Sequence, residues 1–229
     1  MKVLIGCEES QAVCIEFRKM GIEAYSCDIQ ECSGGHPEWH IQGDVLEQLY
    51  SGRYDAAIVF PPCTYITNAG IGYFNEERYG QKAVDRKELR RQAVEFFMKC
   101  YNAPVGMVCC ENPVGFINSF MKPTQVIHPY FFGDPHKKRT CLWLRGFPPL
   151  AWAREPNLFQ LATACDEPKP IYVHIRKPGK HYKGGEHKPR YFTDAMSGGM
   201  GKERSKTFPG IARAMAEQWG KILLEQKAA

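Results

Sequence analysis

The apolar positions of this chain fall in short unbroken runs separated by turn-rich stretches, the pattern of an open α/β sheet. Residues 2–7 predict a first strand, 10–20 a helix that Ser10 caps, and 24–27 a second strand ending at Asp28. The stretch 32–39 leads to a short strand at 40–42, which delivers Asp44, and then to a helical turn at 45–50. The run 56–60 is apolar throughout and predicts a central strand, because a strand covered on both faces needs no polar alternation. Residues 64–82 contain glycines and no apolar periodicity, so they predict a long mobile loop of the kind that forms lids. Leu89, Ala93, Phe96, Phe97 and Cys100 share one face of a helix at 84–101. Another buried strand is predicted at 105–110, and an antiparallel pair at 125–128 and 140–144 around the Gly133-Asp134 turn. A closing helix at 209–226 returns to the core through Ile211, Met215, Trp219, Ile222 and Leu223.

Beyond Arg145 the texture changes to prolines, glycines, aromatics and bases up to about Gly201. The expected organisation is a main domain, residues 1–145 plus 205–229, with a small irregular basic lobe at 146–204. A chain of 229 residues has room for one sizeable core and such an appendage. The net charge is +5, yet residues 174–206 alone carry nine Lys and Arg against three acids, so a polyanion is expected to meet this region. A solvated basic loop is the plain structural reading. No apolar run approaches the ~20 residues that span a bilayer, and the amino terminus runs directly into a strand, so a cytoplasmic protein without membrane partners is expected. Ten scattered cysteines lack the close pairs of a zinc cage, which points to a reducing compartment and to no metal site.

Two predicted strands end in reactive groups, Pro61-Pro62-Cys63 after the run 56–60 and Glu111-Asn112-Pro113 after the run 105–110. In an open α/β sheet the carboxyl ends of the strands line one edge, where ligands bind, so a thiol and a carboxylic acid are expected to share a pocket. That pair suits a pyrimidine: a thiolate adds to carbon 6 of cytosine, carbon 5 becomes nucleophilic, and an acid of raised pKa hydrogen-bonds nitrogen 3 and the 4-amino group. Enzymes that methylate an exocyclic amine carry Asp or Asn before the two prolines and an aromatic after them, whereas Phe60 and Cys63 hold those places here. Asn112 is expected to hold the cysteine loop. A base from His136-Lys137-Lys138-Arg139-Thr140 is expected to aim at the 2-oxo group or a phosphate. An inert buried thiol and an ion-paired glutamate are the structural alternatives. The first turn, Gly6-Cys7-Glu8-Glu9-Ser10, is not a GxGxxG, and its two carboxylates suit the sulfonium and ammonium of S-adenosylmethionine better than a pyrophosphate. Asp28 suits a ribose diol and Asp44 an adenine amine, although each alone also reads as a helix cap or turn residue.

On these residues the chain resembles the DNA (cytosine-5) methyltransferases, especially their short phage and prophage members. Pro61-Pro62-Cys63 matches the family's Pro-Cys nucleophile turn and Glu111-Asn112-Pro113 its Glu-Asn-Val signature. Ser205-Lys206-Thr207-Phe208-Pro209 looks like its carboxy-terminal Gly-Asn-Ala-Val-Pro motif. The resemblance implies a class I, Rossmann-like S-adenosylmethionine-dependent methyltransferase sheet, transfer of methyl to carbon 5 of cytosine in DNA through a Cys63–carbon 6 adduct, and a flipped target base. It implies Cys63, Glu111, Lys138 and Arg139 as catalytic residues, and Pro62, Asn112, Lys137 and Arg204 as substrate-binding ones. The implied cofactor site comprises Gly6, Glu8, Ser10, Asp28, Ile29, Asp44, Val45, Pro61, Lys206 and Thr207. A phage- or prophage-encoded protein in a bacterial host is implied as well.

The chain departs from the family pattern in four places. Gly6-Cys7-Glu8-Glu9-Ser10 replaces the Phe-x-Gly-x-Gly loop, the Gln-x-Arg-x-Arg motif is present only as residues 136–140, the recognition lobe is small, and Lys206 stands where the family has Asn. A cation beside a sulfonium is unfavourable. Lys206 is therefore expected to face a phosphate or a carboxylate, and transfer of a carboxymethyl group from carboxy-S-adenosylmethionine is one reading. The same chemistry on a free cytidine nucleotide, and a nucleic-acid-binding module without turnover, are the other two.

Overall fold

The computed structural model describes residues 1–153, 164–175, 187–191 and 207–228. Seven strands make one mixed sheet: β1 Lys2–Gly6, β2 Glu23–Asp28, β3 His40–Gln42, β4 Ala56–Val59, β5 Met107–Pro113, β6 Gln125–Ile127 and β7 Thr140–Arg145. Their spatial order is β3-β2-β1-β4-β5-β7-β6. β1 to β5 pair in parallel, and β7 runs antiparallel to both of its neighbours. The fold is α/β and compatible with a Rossmann-like arrangement. Its chain order reverses between β1 and β4, the switch point beside which open α/β sheets bind ligands.

Strand alternation sends successive side chains to two cores. Val3, Ile5, Ile58, Cys109 and Leu142 meet one helical layer, formed by α1 Ala12–Lys19 and α5 Pro209–Ala228. Leu4, Ala57, Val59, Val108 and Cys110 meet the other, formed by α2 Val45–Leu49 and α4 Gln81–Tyr101. Both faces of β1 and β4 are covered, which is why these strands read as continuous apolar runs. Trp219 of α5 is fully buried, stacks on Phe147 at 4.5 Å between ring centres, and donates from Nε1 to the Pro148 carbonyl at 2.9 Å. Burying an aromatic of this size contributes roughly 3 kcal/mol.

Four expectations change. Residues 64–82 are not an irregular loop: a 3₁₀ segment, Asn68–Phe74, leads into α3, Glu76–Tyr79, whose first turn is capped by the Asn75 side chain. α4 begins at Gln81 and buries Ala83, Phe97 and Cys100, leaving Leu89 exposed. β5 continues through Pro113 because β7 extends the ladder to the Pro113–Thr140 pair, so Glu111 lies inside a strand instead of beyond it. The main core also reaches past Arg145, since Phe147 and Leu150 are buried in it. Of the expected basic lobe, the described residues include an antiparallel hairpin, β8 Tyr172–Ile175 with β9 His187–Arg190. Among the described residues, no helix is long and apolar enough to cross a membrane, and no His, Cys, Asp or Glu cluster is arranged to hold a metal ion.

Candidate active site

The chain leaves β4 at Phe60, whose N–H donates to the Gly6 carbonyl at 2.9 Å, and passes through buried Pro61 and exposed Pro62 to half-buried Cys63. Proline cannot donate a backbone hydrogen bond, so this exit needs side chains from elsewhere to fix it. Asn112, 1% exposed, supplies one: its Nδ2 donates to the Pro61 carbonyl at 2.7 Å and to the Glu111 carbonyl at 2.7 Å. Directly after the thiol the chain turns, with the Cys63 carbonyl accepting from Ile66 N at 3.1 Å and Thr67 N at 2.9 Å. Arg86 and Arg90 of α4 donate to the Thr64 and Tyr65 carbonyls at 3.1 and 3.2 Å, and Phe116 N donates to the Ile66 carbonyl at 2.6 Å. A Cβ on Gly115 would overlap that Ile66 oxygen, so the crossing of the two loops demands glycine. The expected role of Asn112 as an anchor of the cysteine loop therefore has a hydrogen bond behind it.

Glu111 faces the opposite layer. It lines a shallow, solvent-open depression with room for little more than a water molecule, together with Phe60, Lys138, Thr140, Thr207, Phe208 and Ile211. Burial raises the Glu111 pKa above the usual carboxylate value, and the Lys138 charge pulls it the other way. Lys138 also sits 5.7 Å from the centre of the Phe208 ring. Asp134 Oδ2 accepts from Gly210 N at 2.7 Å, which fixes the start of α5 beside this wall.

Cys63 is not among the residues lining this depression; it packs on the α2/α4 core, whereas Phe60 packs on the α1/α5 core. The expectation of thiol and acid facing each other in one pocket is thus corrected. Both groups belong to the same sheet edge and are joined through Asn112, but the turn after Cys63 and its ties to α4 hold the thiol on the other side.

The cofactor end also differs from expectation in part. Glu8 is 4% exposed and its carboxylate accepts from Val13 N at 2.7 Å and Cys14 N at 3.2 Å. It closes the start of α1 and does not face a sulfonium; burial pushes its pKa up to about 8 against those two hydrogen bonds. Ser10 does not cap the helix: Gln11 stands there in the left-handed region at φ 58°. The Gln11 side chain binds Ser26 Oγ at 3.1 Å, the His36 carbonyl at 2.8 Å and His36 N at 3.1 Å. A Cβ on Gly34 would stand 2.6 Å from the Ser10 carbonyl, so the 32–36 segment lies directly on this turn. Gly6 is glycine because Val45 packs onto it, and both are buried.

Asp28, Ile29 and Asp44 remain at the rim. Asp28 Oδ1 accepts from Gln30 N at 2.9 Å, and Asp44 caps α2 by accepting from Leu46 N at 2.8 Å. Ile29 between them in the chain is 77% exposed. Asp28, Ile29 and Asp44 thus remain partly or fully exposed at the strand ends, whereas Glu8 is buried against the start of α1. Pro61 is buried under the Asn112 bond, and Thr207 belongs to the Glu111 depression instead.

Of the three bases at 137–139, only Lys138 reaches the Glu111 depression. Lys137 is ion-paired with Glu167 and donates to Tyr191 Oη at 3.3 Å, and it is not among the residues lining the Glu111 depression. Arg139 is exposed and helps lower the pKa of His128, behind burial and Lys137. Arg204 and Lys206 lie outside the described residues. The sequence reading missed Arg86, Arg90, Gly115, Thr140 and Ile211; only the i, i+4 spacing of the two arginines on one helix was a signal for any of them. No protein-family model matches the chain, and no curated protein matches it.

Proposed function

We propose that this protein is an S-adenosylmethionine-dependent methyltransferase that modifies carbon 5 of cytosine in DNA. The carrying observation is the Asn112 junction, which ties the loop bearing Cys63 to the strand bearing a Glu111 whose pKa burial raises, beside Lys138. In this reading the cytosine docks over the Glu111 depression, which widens to take its edge, so that a carboxyl of raised pKa hydrogen-bonds nitrogen 3 and Lys138 faces the 2-oxo group. Bringing the Cys63 thiolate to carbon 6 requires the turn after it to leave its Arg86 and Arg90 ties to the Thr64 and Tyr65 carbonyls; the addition then places electron density on carbon 5. Asp28, Ile29 and Asp44 would hold S-adenosylmethionine, which would supply the methyl group for carbon 5. Loss of the carbon 5 proton to a base then expels the Cys63 thiolate and restores the ring.

The same chemistry on a free cytidine nucleotide is the second reading, since Lys138 beside Glu111 would meet the 2-oxo group of either substrate. Mass spectrometry of duplex DNA, single-stranded DNA and deoxycytidine monophosphate after incubation with S-adenosylmethionine separates these substrates. Addition of one methyl group to cytosine in DNA is expected. No methylated product from any of the three refutes the reading.

A further inference from the structure

The segment following the cysteine loop lies against α4 through an alternation of rings and guanidinium groups. Arg86 lies 5.0 Å from the Tyr65 ring centre, 5.4 Å from Tyr73 and 5.2 Å from Phe74. Arg90 lies 3.3 Å from Phe74 and 4.6 Å from Phe116, and Phe116 meets Phe120 edge-on at 6.0 Å. The result is a ribbon running from Tyr73 to Phe120 across the two loops that leave β4 and β5, joined where Thr67 bridges Gly115.

Much of it faces solvent: Tyr73 is 55% exposed, Phe116 38% and Phe120 53%, with Ile71 at 62% beside them. Rings needed only for the core would be covered. Among the described residues neither Arg86 nor Arg90 has a carboxylate within ion-pairing distance, although α4 residues form four such pairs elsewhere. Two like charges are thus held close together, and burial, helped by the Arg86 charge, lowers the Arg90 pKa. A polyanion with flat, stackable groups complements both features, since bases stack on the rings and phosphates neutralise the guanidinium pair.

We propose that this ribbon is a docking track for unpaired, single-stranded nucleic acid. Successive bases stack on Tyr73, Phe116 and Phe120, and the backbone passes Arg86 and Arg90, which hold the carbonyls of Thr64 and Tyr65 just after Cys63. That the track feeds a target cytosine to the sheet edge rests on the function proposed above; that it binds a single strand does not.

Fluorescence anisotropy of end-labelled oligothymidylate with the full-length protein tests this. The Tyr73→Ala/Phe120→Ala variant is expected to bind at least about ten-fold more weakly, because each base stack lost to alanine carries a sizeable share of affinity. Arg86→Gln is expected to lower the slope of log affinity against log salt by about 0.7. Should the double variant fail to fold, ultraviolet cross-linking of the same oligonucleotide to the unmodified protein, followed by peptide mapping, is expected to mark Tyr73, Phe116 or Phe120. No binding of oligothymidylate, unchanged affinity in the folded double variant, tighter binding of the matching duplex, or cross-links only elsewhere would each overturn the track. Binding without any methyl transfer would leave the track standing and remove the proposed reaction; transfer unaffected by the ribbon variants would do the reverse.

Discussion

Replacing Asn112 with alanine removes one side chain that does two jobs, and the two can be measured apart. The substitution deletes the donor to the Pro61 carbonyl inside the protein, leaving a buried oxygen without that partner. Such a loss costs about 1–3 kcal/mol. Asn112 Oδ1 is itself buried without a hydrogen bond, so removing it returns part of that cost. A net loss of about 1–2 kcal/mol follows, which for a chain of this size lowers Tm by roughly 2–8 °C. The effect on chemistry is larger than the effect on stability, because a displacement of about 1 Å at a reacting group costs about a hundred-fold in rate. Stability is read by urea unfolding and reactivity by the rate at which 5-fluorocytosine in DNA traps the protein. The expected variant is folded, modestly destabilised, and slower in trapping by about ten- to a hundred-fold. A variant that loses stability but traps at the normal rate would refute the anchor argument, as would one with unchanged stability.

Two further outcomes follow from the buried acids. Because the Lys138 charge lowers the Glu111 pKa, Lys138→Ala raises it, and the loss of trapping rate at alkaline pH is expected to move to higher pH; a shift to lower pH, or none, contradicts the pairing. The Glu8 pKa rises from 4.5 to about 8 on folding, so the folded state holds the proton more tightly than the unfolded chain. The stability it contributes is complete below pH 4.5 and is lost as pH rises toward 8. Urea unfolding of the unmodified protein should show this decline, amounting to a few kcal/mol, and Glu8→Gln should flatten it; parallel curves for the two proteins would exclude Glu8 as the cause.

The strands and both cores were readable from apolar continuity because β1, β4 and β5 are covered on both faces, and the helix at α5 because Met215, Trp219 and Leu223 keep a helical period. Chemistry-bearing residues were readable only as neighbours along the chain. Which way each one points depends on strand parity and on turns: Glu111 follows the face of Cys109, while the turn after Cys63 holds the thiol over the other core. Glu8 looked like a cofactor residue because position after β1 is all that a sequence displays, whereas Gln11 in a left-handed conformation leaves the helix start to be closed by that carboxylate. The ordered segment at 64–82 escaped notice for a similar reason, since rings stacked on two arginines leave no apolar period. Choosing Lys138 over Lys137 required Glu167, thirty positions away.

Trapping with DNA that contains 5-fluorocytosine, in the presence of S-adenosylmethionine, followed by mass mapping of the linked peptide, bears most directly on the pairing of Cys63 with Glu111. A covalent adduct on Cys63 that Glu111→Gln strongly suppresses is the expected result. A protein that forms no adduct, or one linked through a different cysteine, would contradict it.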